Sequence, residues 1–251
     1  MARGSAELRD VYEAQYDAPG DRAARAGEWR ALCAEGKADH VAALAGSLPE
    51  PPRAVVEVGC GDGVLLTALA ARGIGQRRHG FEISERAVEL ASGRPEIERV
   101  ERFDGAALPA ADGEYDLAVL SHVLEHVPDP APLLRETARV AGAVVVEVPL
   151  EDNRSASRPE AQHGRDEVGH LHRFSRADVH ALAGSAGLRV VEELADPLPL
   201  RVHTFWARRP SAQAKAVVKA AIRRGAFTAA PARAERLFTV HYAALLAPVS
   251  P

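Results

Sequence analysis

The sequence predicts a doubly wound α/β fold, a mainly parallel sheet with helices on both faces. Three observations carry that expectation. Short, almost wholly apolar runs recur at residues 55–58, 117–120 and 143–148, each of the length and composition of a strand buried on both faces. Between them lie segments whose apolar residues recur at spacings of three and four, as helices packed on such a sheet require. The first run also ends in a glycine cluster, Gly59-Cys60-Gly61-Asp62-Gly63, with a helical pattern starting at Val64.

Length and composition bound the reading. A chain of 251 residues suits one α/β domain with additions. Two cysteines, Cys33 and Cys60, make no disulfide framework, and the first ten residues lack the apolar core of a signal peptide. No apolar run approaches a membrane span, so a soluble cytoplasmic protein is expected. The net charge of −4 hides an asymmetry: residues 201–251 hold nine Arg and Lys against one acid, whereas residues 1–200 hold 22 against 34. An acidic body with few aromatics argues against a nucleic-acid binder.

Residues 1–46 are expected to form a helical segment, with Tyr12, Tyr16, Trp29, Val41 and Leu44 among its apolar and aromatic members and a break at Pro19-Gly20. Pro49, Pro51 and Pro52 then lead into the first strand. Within that strand Glu57 is out of place, because a carboxylate is costly to bury unless something satisfies it. The glycines are each two residues apart, unlike the Gly-x-Gly-x-x-Gly of dinucleotide sites. The string Glu57-x-Gly59-x-Gly61-x-Gly63 resembles motif I of the class I S-adenosylmethionine (SAM) dependent methyltransferases. The resemblance implies a Rossmann-like seven-stranded sheet, an acid near the methionine ammonium of SAM, and glycines, with Cys60 among them, passing beneath the cofactor. It also implies that the leading segment is a lid, which would make Tyr12 and Tyr16 substrate contacts; ordinary packing aromatics are the alternative.

Later elements follow in order. A second strand ends at Glu82-Ile83, nineteen residues beyond Gly63, an interval at which doubly wound sites place an acid on ribose hydroxyls. Ser84 caps the next helix, which puts Glu82 at the strand's end rather than in the interior. A third strand at 97–103 leads to Asp104-Gly105-Ala106-Ala107-Leu108-Pro109, similar to the family stretch in which the aspartate and the following amide meet adenine. The fourth strand runs into Ser121-His122-Val123-Leu124-Glu125-His126. His122-x-x-Glu125-His126 matches an inverted zincin pattern, but that chemistry needs a continuous helix and Pro128 and Pro130 leave none, so no metal is expected. The run as a whole resembles the post-strand segment of small-molecule methyltransferases, which implies that Ser121 and His122 lie near the cofactor.

The fifth strand at 143–148 opens into a polar stretch, 149–172, expected to be a substrate loop presenting His170 and His172. Ser175 is expected to cap a helix reaching about Ser185, followed by strands at 188–194 and 200–207 that complete the sheet. A SAM-binding core would thus occupy 47–208. Residues 209–251 are expected to be a basic helical tail, with Lys215, Lys219 and Arg223 on one face.

Together these residues point to methyl transfer from SAM to the oxygen or nitrogen of a small-molecule biosynthetic intermediate, the basic tail being suited to an anionic or carrier-bound acceptor. His126 is the candidate base, with His122 and, from the loop, His170 as alternatives. A homodimer is compatible with the sequence. Two rivals share the sheet: a nicotinamide dehydrogenase, disfavoured by the glycine spacing, and a SAM-binding protein that serves as a cyclase, a lyase or a regulatory module.

Overall fold

The structure, a computed structural model, describes Glu13, Tyr16 and residues 21–249; Tyr12 lies outside the described residues. Helix α1 (Asp21–Ala45) precedes a first unit made of β1 (Ala54–Val58), α2 (Val64–Ala71), β2 (Arg77–Glu82), α3 (Glu85–Ser92) and β3 (Arg99–Arg102). A second unit holds β4 (Tyr115–Ser121), a single 3-10 turn at Leu124–His126, α4 (Pro130–Val140) and β5 (Ala141–Leu150). Then come α5 (Pro159–Val168), α6 (Arg176–Ser185), β6 (Leu188–Asp196), α7 (Leu200–Thr204), α8 (Pro210–Ala229), α9 (Pro231–Leu237) and β7 (Val240–Pro248).

Seven strands form one sheet in the order β3-β2-β1-β4-β5-β7-β6. The first five are parallel, and β7 runs antiparallel to both β5 and β6. The order reverses between β1 and β4, where a doubly wound sheet opens a crevice at the strand ends. All five residues of β1 are buried, because helices cover both faces. On one face Val56 and Val58 join a cluster with Leu133, Leu134 and Val179. On the other, Val55 joins Ala38, Val41 and Leu44 of α1 and Leu65, Leu66 and Leu69 of α2.

Local signals explain most boundaries. Ser84 Oγ accepts from Ala87 N at 3.1 Å, and Ser175 and Asp178 form a reciprocal capping box at the start of α6. Asp116 Oδ2 accepts from Arg53 N and Ala54 N at 2.7 and 2.8 Å, which pins the start of β1 to β4. No helix among the described residues is long and apolar enough to cross a membrane.

Three expectations are corrected. Residues 200–207 are not a strand: Leu200–Thr204 is helical, and the final strand is Val240–Pro248, inside the region read as a helical tail. A short apolar run does not reveal its own period, and β7 is recognisable only by its pairing between β5 and β6. The polar stretch 149–172 contains helix α5, whose residues are mostly exposed and therefore show no apolar stripe. The third strand is also shorter than expected, Arg99–Arg102.

Leu246 on β7 is fully buried, whereas Val218 on α8 is 59% exposed. Leu246→Ala is expected to lower unfolding free energy by about 2–5 kcal/mol, and Val218→Ala by no more than about 0.5 kcal/mol, in urea titrations.

Candidate active site

A cavity of about 560 Å³ opens at the carboxyl ends of β1, β2 and β4, with α1 along one side. That volume lies within the roughly 300–1,000 Å³ of sites that enclose a small ligand. Its floor is the glycine turn. Gly59, Gly61 and Gly63 have φ of 77°, 54° and 76°, the left-handed region that a side chain disfavours. A Cβ on Gly59 would lie 2.6 Å from Val123 Cγ2, and one on Gly61 would strike the Tyr16 hydroxyl. Gly59 N and Cys60 N donate to Phe81 O at 2.7 and 3.1 Å, tying the turn to β2.

Four carboxylates are placed around this floor in different ways. Glu57 is buried, and its Oε2 has no hydrogen-bond partner among the described residues. Burial pushes its pKa well above the usual carboxylate range, against the opposing charge of Lys37. Glu82 is buried too, which corrects the expectation that it stands clear of the interior. It accepts from Gly61 N at 2.8 Å, Ile83 N at 2.8 Å and Ser84 N at 3.0 Å. Burial raises its pKa, and those three bonds oppose the rise. Asp104 is exposed; its Oδ1 accepts from Ala107 N and Ala106 N, at 2.9 and 2.8 Å, and those bonds hold it below the usual range. Asp62, not singled out from the sequence, accepts from Arg30 Nε at 2.9 Å.

At the end of β4, Ser121 Oγ donates to Glu147 Oε2 at 3.2 Å. His122 has a φ of 59°, a strained conformation for a non-glycine residue and a frequent mark of functional sites. Its ring packs on His241 of β7 with centroids 4.5 Å apart. His126 lines the cavity, donates through Nδ1 to Gly169 O at 3.2 Å, and meets His170 edge to face at 4.7 Å.

The structure thus brings Tyr16, Glu57, Gly59, Cys60, Gly61, Glu82, Ile83, Asp104, Gly105, Ser121, His122 and His126 to one cavity. Gly63, His170 and His172 are not among its lining residues. Gly63 faces Ile97, His170 Nδ1 donates to Glu151 Oε2 at 2.8 Å, and His172 Nε2 donates to Val127 O at 2.8 Å. Sequence reasoning missed Lys37 and Cys33 on α1 and His241 on β7. Nothing local marks Lys37, and His241 sits in the stretch read as tail.

Beneath the cavity, Glu147 is fully buried and receives His40 Nδ1 at 3.2 Å and His241 Nδ1 at 3.3 Å. His40 Nε2 also lies 3.4 Å from Asp196. Burial disfavours a charged His40, but the bonds to Asp196 and Glu147 prevail and push its pKa up to about 9.

The strand order and the carboxyl-edge cavity define the fold of the class I SAM-dependent methyltransferases, whose cofactor is SAM. The family model described as "Methyltransferase domain" matches residues 25–193, and the chain belongs to that family. A ubiquinone biosynthesis O-methyltransferase of Thiobacillus denitrificans is 38% identical over 99 residues, 37% of this chain and 41% of that protein. The chain spans less than half the length of the curated relatives it matches. Geranyl diphosphate C-methyltransferase from Streptomyces coelicolor A3(2) superposes with a TM-score of 0.65 at 15% identity, over 98% of this chain and 97% of that one. The [4+2]-cyclase SpnF superposes with a TM-score of 0.56 at 18% identity, over 86% and 81%. These structural likenesses show the fold alone.

Because the folded pKa of His40 lies above the ordinary value of 6.5, its stabilising contribution is complete below about pH 6.5 and is lost as pH rises through about 9. The stability gap between the wild type and His40→Asn is therefore expected to be larger at pH 6 than at pH 9.5 in urea titrations; an equal gap at both would remove the charge from His40.

Proposed function

We propose that this chain transfers a methyl group from SAM to a small-molecule acceptor, at oxygen or nitrogen. The observation that carries the reading is Glu57 Oε2, buried without a hydrogen-bond partner among the described residues, beside a turn whose three glycines hold positive φ and have a neighbouring side chain where a Cβ would lie. An ammonium group is the natural complement of such an atom. Glu57 would hold the methionine ammonium, Glu82 the ribose hydroxyls, and Asp104 with the Gly105 amide the adenine. When bound, SAM supplies an electrophilic methyl carbon on a sulfonium centre.

The chain's own part is alignment and exclusion of water, effects worth as much as about 7–11 kcal/mol in favourable cases. Tyr16 over the glycine turn and α1 along the cavity supply the cover. At the other end, His126, His122 and His241 surround the space left for an acceptor. The name of the Thiobacillus denitrificans relative favours an oxygen acceptor.

The purified chain is to be incubated with SAM and panels of phenols, catechols and amines. Acceptor-dependent S-adenosylhomocysteine supports the reading, whereas methylthioadenosine or no turnover with any panel overturns it. Asp104→Asn keeps an oxygen for the two turn amides but loses the anionic acceptor for adenine. Its affinity for S-adenosylhomocysteine is expected to fall about tenfold, or about 1.4 kcal/mol, in calorimetry, with little change in melting temperature.

A further inference from the structure

We propose that Glu125, His126 and His170 bind a divalent transition-metal cation at the acceptor end of the cavity. The sequence argument against a metal at His122-x-x-Glu125-His126 concerned a helix carrying both histidines, and there is none: Leu124–His126 is one 3-10 turn. Tertiary structure supplies a different third donor. Leu171 N and His172 N donate to the Glu125 carbonyl at 2.7 and 3.2 Å, and this clamp brings His170 from the loop after β5 to the turn after β4. One donor atom from each of Glu125, His126 and His170 then lies within 4.8 Å of the other two. Donors on a tetrahedral ion at about 2.1 Å stand roughly 3.4 Å apart, so modest side-chain adjustment closes the set.

Glu125 gives the independent reason to place a cation there. Its side chain is fully buried; Oε1 is paired with His122 Nδ1 at 3.0 Å, while Oε2 has no hydrogen-bond partner among the described residues. A buried carboxylate is normally paired or coordinated to metal. The two imidazoles are also oriented as ligands are. His170 Nδ1 donates to Glu151 Oε2 at 2.8 Å and His126 Nδ1 to Gly169 O at 3.2 Å, the carboxylate and carbonyl partners that commonly fix the rings of metal-binding histidines. The neighbouring group of His122, Glu147 and His241 differs, because there the Glu147 oxygens already receive His40, His241 and Ser121.

Two imidazoles and a carboxylate suit zinc or manganese, and leave coordination positions open. Of the three donors His126 alone lines the cavity, so an acceptor oxygen entering there would be the further ligand. That last assignment rests on the methyl-transfer reading; the metal site itself does not.

The test uses the full chain after chelator treatment, titrated calorimetrically with ZnCl2 and separately with MnCl2. One equivalent of at least one ion is expected to bind at micromolar or tighter affinity, and His170→Ala and Glu125→Gln are each expected to weaken it at least tenfold. S-adenosylhomocysteine affinity and melting temperature are measured on the same samples. His170 is off the cavity wall, so His170→Ala serves if Glu125→Gln fails to fold. No saturable binding below millimolar concentration, or binding that His170→Ala leaves unchanged, overturns the proposal. Metal binding without S-adenosylhomocysteine binding would count against the methyl-transfer reading alone.

Discussion

The site depends on one clasp, the Glu82 carboxylate accepting three backbone amides. Gly61 N comes from the turn after β1, while Ile83 N and Ser84 N belong to the end of β2. A chain with three left-handed glycines has many conformations available and needs a fixed partner to choose one. Glu82 and the carbonyl of Phe81 provide that partner from the adjacent strand. The same bonds offset part of the penalty of burying the acid.

A second buried acid organises the other side of the cavity. Glu147 on β5 joins His40 of α1, His241 of β7 and Ser121 of β4. The covering helix, the antiparallel strand and the post-β4 turn are thereby held to one point. Burying so polar a group is tolerable only because each oxygen is satisfied. Insertion of β7 between β5 and β6 makes this possible, since it pairs His241 with Pro149 and so brings the His241 ring within reach of Glu147, two residues earlier on β5.

Much of the cofactor side was legible in the sequence, for local reasons. Glycines two apart after a valine run announce a turn with positive φ, and Ser84 and Ser175 announce helix starts through their own hydroxyls. Asp104 announces a turn by the amides that follow it. The acceptor side was less legible. His170 and His172 looked alike in the chain, yet neither lines the cavity, and His170 instead meets His126.

The sequence by itself determined the α/β alternation, the glycine turn and the order of acids along the strand ends, because steric limits on φ and hydrophobic period act over a few residues. Only the tertiary structure decided which apolar run closes the sheet, that Glu82 is buried, and that Glu125, His126 and His170 share one corner. Those outcomes depend on strand pairing and on burial between segments far apart in the chain, and no local pattern encodes them.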